Sequence, residues 1–136
     1  MVSILNAGPK DLDIERAKHA LKMVNEIKIE GNYGNFRSYV ERLPATVVMN
    51  GLGQAMAMEL SQSKKADANR NADERAHEKL FEIVKDWLNK TVYGDGDLME
   101  NITNHGQQKY IEAQSEVLAY LVWLKKFSKA YLKKGD

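Results

Sequence analysis

Cysteine is missing from this chain of 136 residues. Without a thiol, the protein cannot use a cysteine nucleophile, form a disulfide bond or build a zinc site that needs thiolate ligands. An absence of cysteine is typical of proteins from a reducing compartment, so we expect a cytoplasmic protein.

The chain also lacks a long hydrophobic run. Its longest apolar stretch covers residues 117–124, far short of the roughly 18 residues that cross a bilayer. Residues 1–5 have no basic flank, and no cleavage-site pattern follows them. We therefore expect neither a signal peptide nor a membrane contact.

Neither sign of charge dominates. The 20 Lys and Arg residues stand against 19 Asp and Glu residues, which leaves a formal net charge of +1. The protein thus lacks the overall basic excess of an autonomous nucleic-acid binder, and any site for a polyanion must be a local patch.

What the chain does contain is typical of one folded domain. Hydrophobic residues make up 43% and charged residues 29% of the sequence, as in ordinary soluble proteins. Apolar residues recur every three or four positions, and no segment of useful length alternates between apolar and polar residues with period two. The sequence predicts a single all-α domain over residues 1–136, a compact bundle of five to six helices with a long C-terminal helix.

Apolar spacing and capping residues set the predicted boundaries. A first helix covers about residues 13–29, after a stretch at 1–10 that we expect to be flexible. A second helix opens at Phe36, and Pro44 should break, kink or restart it, fitting best as the first position of a new turn. Gly51 separates two short helices. The remaining elements are an exposed loop at 61–71, a helix at 72–91 opened by a capping box of Asn71 and Glu74, a short helix from Asp97 through Ile102, and a long helix at 106–134.

The strongest signal is the apolar seam of the last helix. Its members are spaced alternately three and four residues apart from Tyr110 to Tyr131, as expected of a helix face that packs in a core. Between residues 117 and 124, apolar side chains cover most of the helix circumference. This is more apolar surface than one intramolecular contact needs.

Catalytic and metal-binding patterns are weak. The histidines lie on separate segments without a paired spacing: His19, His77 and His105. Glu74 and His77 form a single Glu-x-x-His pair, whereas a di-iron bundle needs two. Asp95 and Asp97 fit a turn and a helix cap better than a cation site. We therefore predict no metal, no cofactor and no enzymatic activity.

Two further patterns favour ordinary structure over chemistry. Gly51 and Gly53 look like part of a phosphate-binding loop, but position 56 is Met and no strand precedes them, so helix packing explains them better. Glu112 and Glu116 lie one turn apart beside Lys109, and we interpret them as a solvated face.

Basic residues provide the best candidate binding surface. Lys125 and Lys126 stand next to Trp123 and Phe127, a combination that suits a sugar-phosphate backbone. The alternative is that lysines near the end of a helix only complement its macrodipole. Arg16 lies at the margin of the buried face of the first helix, where an arginine is usually paired or contacts a partner.

Several stretches together resemble a known family. They are Arg16, Ala17 and Ala20; Leu43-Pro44 leading into residues 50–55, Asn-Gly-Leu-Gly-Gln-Ala; and residues 116–127, which include Trp-Leu-Lys-Lys-Phe. In this order, over about residues 13–132, the chain resembles the small α-helical subunit of the type III-B CRISPR effector, the Cmr complex.

The resemblance implies a non-catalytic scaffold subunit in antiviral defence. A few copies would stack head to tail into a short filament beside the backbone subunits and line the channel for guide and target RNA. The implied partners are the other subunits of the Cmr complex, further copies of this chain and single-stranded RNA.

The predicted site residues combine this resemblance with charge. The RNA-binding candidates are Arg16, Lys125 and Lys126, which match the motifs, and Arg37, Arg42, Lys64 and Lys65, which rest on charge alone. The structural motif comprises Asn50, Gly51, Gly53, Gln54 and Trp123. We favour a helix cap at Asn50 and a buried hydrogen-bonding side chain at Gln54 over contacts with RNA.

Two alternative functions stay open. A helical adaptor would use the same apolar surface for proteins alone and would not touch RNA. The equivalent small subunit of the sister type III-A complex is similar in fold and role, although the motifs fit the Cmr branch better.

Overall fold

The computed structural model describes residues 8–134, and all regular structure in that range is helical. The helices are α1 (Pro9–Glu30), α2 (Phe36–Asn50), α3 (Leu52–Gln62), α4 (Ala72–Leu88), α5 (Leu98–Asn104) and α6 (Gly106–Tyr131), with a short π-helical segment at Asn89–Tyr93 directly after α4. The predicted all-α class and the long C-terminal helix are confirmed. Between residues 8 and 134, no helix has both the length and the apolar composition needed to cross a membrane.

α6 is the central helix of the bundle, and its predicted seam faces the core. Ala113, Val117, Tyr120 and Leu124 are fully buried, and α1 and α2 make the most extensive contacts with this helix. α4 adds Trp87, another large side chain without solvent exposure. The interior therefore forms around one long helix that the other helices cover.

The ends of α1 and α2 lie towards opposite ends of this central helix. Lys28, near the end of α1, has its Nζ 5.8 Å from the ring centre of Tyr131, near the end of α6. Leu52, just after α2, donates its N–H to Gln114 in the first half of α6. The two ends of the bundle are thus built from different helices.

Both terminal helices differ from their predicted bounds. α1 begins at Pro9 rather than at residue 13, because proline suits the first turn of a helix, where its missing N–H is not needed. Residues 1–7 of the stretch predicted to be flexible at 1–10 lie outside the described residues, and residues 9 and 10 form the start of α1. α6 ends at Tyr131 rather than at residue 134.

α2 continues through Pro44, so the predicted new turn at this residue is wrong. A proline inside a helix removes one backbone hydrogen bond and crowds the preceding turn. α2 nevertheless buries Val40, Leu43 and Val47 on one continuous face. Burial of this face stabilises the helical path through the proline.

The loop after α3 is shorter than the predicted segment at 61–71. α3 extends to Gln62, and Ser63 is fully buried. The exposed part of the connection therefore begins at Lys64.

Capping residues define the next two helices as predicted. Asn71 and Glu74 form the capping box of α4, and the carboxylate of Asp97 accepts the N–H of Glu100 at 2.9 Å at the start of α5. α4 itself ends at Leu88, and the remainder of the predicted helix at 72–91 belongs to the π-helical segment.

Gly51 and Gly53 bring the junction of α2 and α3 against α6. Gly51 has a φ of +86°. The N–H of Leu52 donates to Oε1 of Gln114 at 2.9 Å, and the N–H of Gly53 donates to the hydroxyl of Tyr110, also at 2.9 Å. The two glycines therefore serve helix packing, as predicted.

Asn50 and Gln54 do not fill the structural roles expected for them. Both side chains are exposed, and the residue that caps α2 is Gly51. The predicted buried hydrogen-bonding side chain at Gln54 is wrong, because Tyr110 and Gln114 supply the polar groups of this junction from α6.

Replacing Gly51 with Ala should destabilise the protein by about 1–3 kcal/mol, since only glycine adopts this backbone region without strain. The added Cβ would also lie 2.8 Å from the Tyr110 hydroxyl. Gly53→Ala is the matched control, because its Cβ would meet ordinary contacts from 3.5 Å outwards inside a helix. Urea unfolding measures both variants, and equal stabilities would contradict the role of Gly51.

Candidate subunit and nucleic-acid interface

Arg16 is bound inside the fold by two carboxylates. Its Nε and Nη2 donate to the two oxygens of Glu116 at 2.6 and 2.8 Å, and its Nη1 donates to Asp13 at 3.1 Å. The hydrogen bonds with Glu116 raise the pKa of the guanidinium. The charge of Arg16 is already compensated, so this geometry does not favour its predicted contact with RNA.

Glu116 is the central acceptor of this network. Besides Arg16, it accepts the indole N–H of Trp87 at 2.9 Å, and its side chain is only 10% exposed. The prediction that Glu116 belongs to a solvated face is therefore wrong. Glu112 does fit that description, since it is half-exposed beside Lys109.

Trp123 extends the same contact between α1 and α6. Its indole Nε1 donates to Oδ1 of Asp13 at 3.0 Å, and its ring stacks on Phe127 with 5.7 Å between centres. The hydrogen bonds from Trp123 and Arg16 lower the pKa of Asp13. Trp123 thus acts as a structural residue of the helix pair.

A second polar network lies in the core around His19. Its Nε2 is 2.6 Å from Oδ2 of Asp86, and its Nδ1 is 2.6 Å from the hydroxyl of Tyr120. A neutral imidazole that donates from Nε2 and accepts at Nδ1 satisfies both partners. Burial lowers the pKa of His19 despite Asp86, and burial raises the pKa of Tyr120 well above its usual value. His19 is therefore a neutral core histidine.

His77 pairs with a second buried carboxylate. Its Nδ1 lies 3.2 Å from Oε1 of Glu59, and its ring stacks on Tyr39 with 3.8 Å between centres. Burial raises the pKa of Glu59. Glu74, the other half of the Glu-x-x-His pair, belongs to the capping box.

No cluster of metal-ligating side chains forms within the described range. His105, the third histidine, has its Nε2 3.2 Å from Oδ1 of Asn101 on the neighbouring turn. Among residues 8–134, no three His, Cys, Asp or Glu side chains come together in a way that could hold a metal ion.

The last turns of α6 carry an exposed basic surface. Lys125, Lys126 and Lys129 are all exposed, and none of them forms an ion pair with another residue of the range 8–134. Unlike Arg16, these lysines have charges that the described residues leave uncompensated.

The two arginines of α2 have different surroundings. Arg37 is mostly buried and lies beside the end of α6, where its Nη1 donates to the carbonyl of Leu132 at 3.3 Å and its Nε lies 3.5 Å from Glu41. Arg42 is exposed, and its guanidinium lies 5.0 Å from the ring centre of Tyr39.

Lys64 and Lys65 lie on the connection between α3 and α4. Both are exposed, and Lys65 Nζ is 3.8 Å from Oε1 of Glu82 on α4. The structure therefore brings Arg37 next to the end of α6 and leaves Lys64 and Lys65 on a separate connection.

The polar residues that hold α6 in place were not predicted from the sequence. One signal was present, because Glu116 follows the buried Ala113 by three residues and precedes the buried Tyr120 by four, a spacing typical of the same helix face. The partners of Glu116 give no local sequence signal, since Arg16 lies 100 positions and Trp87 lies 29 positions from it along the chain.

The comparison with known families covers nearly the whole helical part of the chain. Residues 12–131 match the family described as CRISPR-associated protein (Cas_Cmr5). The chain belongs to the Cas_Cmr5 family. As a Cas_Cmr5 member it is a small subunit of the type III-B CRISPR complex, and its partners are other subunits of the Cmr complex. The resemblance to the Cmr branch is thereby confirmed.

Replacing Glu116 with Gln should lower the free energy of unfolding by about 3 kcal/mol, because it leaves the guanidinium of Arg16 without its main partner in a nearly dry contact. Glu112→Gln, one turn earlier and half-exposed, is the control and should change stability by less than about 0.5 kcal/mol. Urea unfolding compares the two variants. A loss of stability in Glu112→Gln as large as that in Glu116→Gln would contradict the role of Glu116 as the main partner of Arg16.

His19 should titrate below its usual pKa of 6.5 in the folded protein, because burial disfavours its charged form. The unfolded chain then binds the proton more readily, so the contribution of His19 to stability is lost as the pH falls below about 6.5. Imidazole chemical shifts recorded by NMR against pH measure the titration midpoint. A midpoint above 6.5 would show that Asp86 dominates over burial.

Proposed function

We propose that this Cas_Cmr5 chain is a non-catalytic structural subunit that stacks into a short filament and lines the guide and target RNA channel of the type III-B complex. Its partners in this role are the backbone subunits, further copies of itself and single-stranded RNA. The exposed, uncompensated lysines at the end of α6 are the observation that carries the RNA part of the proposal.

These lysines suit contacts with a phosphate backbone. Lys125 and Lys126 are adjacent, and Lys129 follows one turn later on the same exposed end of α6. Contacts with phosphates hold a strand in place but carry no sequence information. Each phosphate neutralised on a single strand contributes about −0.7 to the log–log salt slope. One copy alone therefore binds RNA weakly, and several stacked copies add their contacts along the strand.

Exposed apolar side chains support the stacking part of the proposal. Ile29 is 85% exposed near the end of α1, and Met49 is 81% exposed near the end of α2, with Val48 beside it. Because these helix ends lie towards opposite ends of α6, the two apolar surfaces are different. A head-to-tail contact needs two different complementary surfaces, and it gives a filament when the rotation does not close.

The same apolar residues also favour a second candidate, a helical adaptor that contacts only proteins. In that function the lysines of α6 would complement the negative end of the helix macrodipole, which accounts for a few tenths of a kcal/mol each. RNA binding and its salt dependence distinguish the two candidates.

A double charge reversal, Lys125→Glu with Lys126→Glu, tests the proposal in the reconstituted complex. Single-stranded RNA binding should weaken, and the salt slope should fall by about 1.4 if each lysine neutralises one phosphate. Helicity, measured by circular dichroism, and the number of copies per complex, measured by native mass spectrometry, should stay unchanged.

The matched control is Lys18→Glu with Lys22→Glu, the same charge change at two exposed positions of α1, which should preserve RNA binding. Unchanged binding in the α6 variant would reject the RNA path on α6 and favour the adaptor. A wild-type complex with a single copy of the chain would contradict the filament.

A further inference from the structure

A cavity of about 350 Å³ lies at the end of the bundle where α1 and α6 end and α2 begins. It is separate from the lysines at 125 and 126, which do not line it. Its volume falls within the range that small ligands occupy in proteins. The chemistry of its lining indicates what kind of ligand it takes.

The floor and one wall of this cavity are apolar and aromatic. Ile27 and Phe36 are buried core residues that also line it, and Tyr131 lies at its rim with 47% of its surface exposed. An exposed tyrosine ring beside an apolar floor suits a planar aromatic group, because every nucleobase has a π-face that stacks on such a ring. The Nζ of Lys28 lies 5.8 Å from the centre of this ring, so a base that stacks there takes the place of the ammonium group, which then contacts the phosphate.

Three cationic side chains surround the same opening: Lys28, Arg37 and Lys133. Lys28 and Lys133 form no ion pair within residues 8–134, and the contacts of Arg37 with Glu41 and Leu132 are long, at 3.5 and 3.3 Å. None of the described residues that line the cavity carries a carboxylate. The carboxylates of Glu30, Glu41 and Asp73 lie beside lining residues, since Glu30 accepts from the Tyr33 hydroxyl, Glu41 contacts Arg37 and Asp73 lies against Gly34. The cavity thus joins an aromatic surface to three cationic side chains.

The positive charge comes from these side chains rather than from the start of α2. The carboxylate of Asp73 already accepts the backbone N–H of Asn35 at 2.7 Å at that helix end. An anion in the cavity would therefore have to be held by the lysines and the arginine.

We propose that this cavity binds one nucleotide of a single-stranded RNA, with the base on Tyr131 and the apolar floor and the 5′-phosphate held by Lys28, Arg37 and Lys133. A free anion would leave the apolar floor without a partner, and an acidic peptide would not use the face of the tyrosine ring. The inference rests on the proposed function, and it assigns a nucleotide site away from Lys125 and Lys126.

Titration of the full chain with adenosine 5′-monophosphate, followed by the backbone amide shifts of residues 31–37 and 131–133 in NMR spectra, tests this site. Adenosine 5′-monophosphate should shift these amides and bind at least tenfold more tightly than adenosine or inorganic phosphate alone. Tyr131→Ala should weaken binding about tenfold, as expected for the loss of one base-stacking contact.

Lys28→Ala and Lys18→Ala form a matched pair, because both change an exposed lysine of α1 and only Lys28 lines the cavity. Lys28→Ala should weaken binding several-fold, and Lys18→Ala should leave it within twofold. Circular dichroism checks that each variant is folded.

Three results would overturn the proposal: no shift of the cavity amides, equal binding of inorganic phosphate, or tighter binding of a hexaglutamate peptide at the same amides. None of these results bears on the filament or on the lysines of α6. If the titration shows no nucleotide binding but the charge reversal at Lys125 and Lys126 weakens RNA binding as expected, the nucleotide site is rejected and the proposed function is retained.

Discussion

Arg16 and Glu116 join the first helix to the last through two parallel hydrogen bonds in a contact that is nearly closed to water. The indole of Trp87 donates to the same carboxylate and brings α4 into the contact. Apolar faces alone can slide past one another, whereas a bidentate ion pair has a fixed geometry. The register of α1 and α4 on α6 therefore depends on one glutamate, and the apolar seam packs in the arrangement that this glutamate sets.

The distribution of charge separates the residues that build the fold from those available to partners. Arg16 is compensated inside the bundle, and His19 stays neutral between Asp86 and Tyr120. Lys125 and Lys126 are exposed and form no ion pair within the described chain. A protein with a net charge of +1 can thus present a basic surface, because its acidic residues pair elsewhere.

The fold was predictable to the extent that its signals are local. The period of the apolar residues and the caps at Asn71 and Asp97 identified the helices, and the left-handed glycine at position 51 identified a junction. Pro44 shows where local rules fail, because burial of one helix face outweighs the preference of a single residue. The cavity beside Tyr131 was not predictable, since the ends of three helices form it and no sequence pattern records that they meet.

The pairing of Arg16 with Glu116 also has a consequence for synthesis of the chain on the ribosome. The two residues are 100 positions apart, and contacts between distant segments form late because a long loop must close first. Until α6 has been made, the buried face of α1 lacks its main packing partner. An unfinished chain therefore exposes the face of α1 that holds Ala20, Val24 and Ile27, which are buried in the folded protein. Transiently exposed apolar surface of this kind promotes aggregation of a chain that has not finished folding.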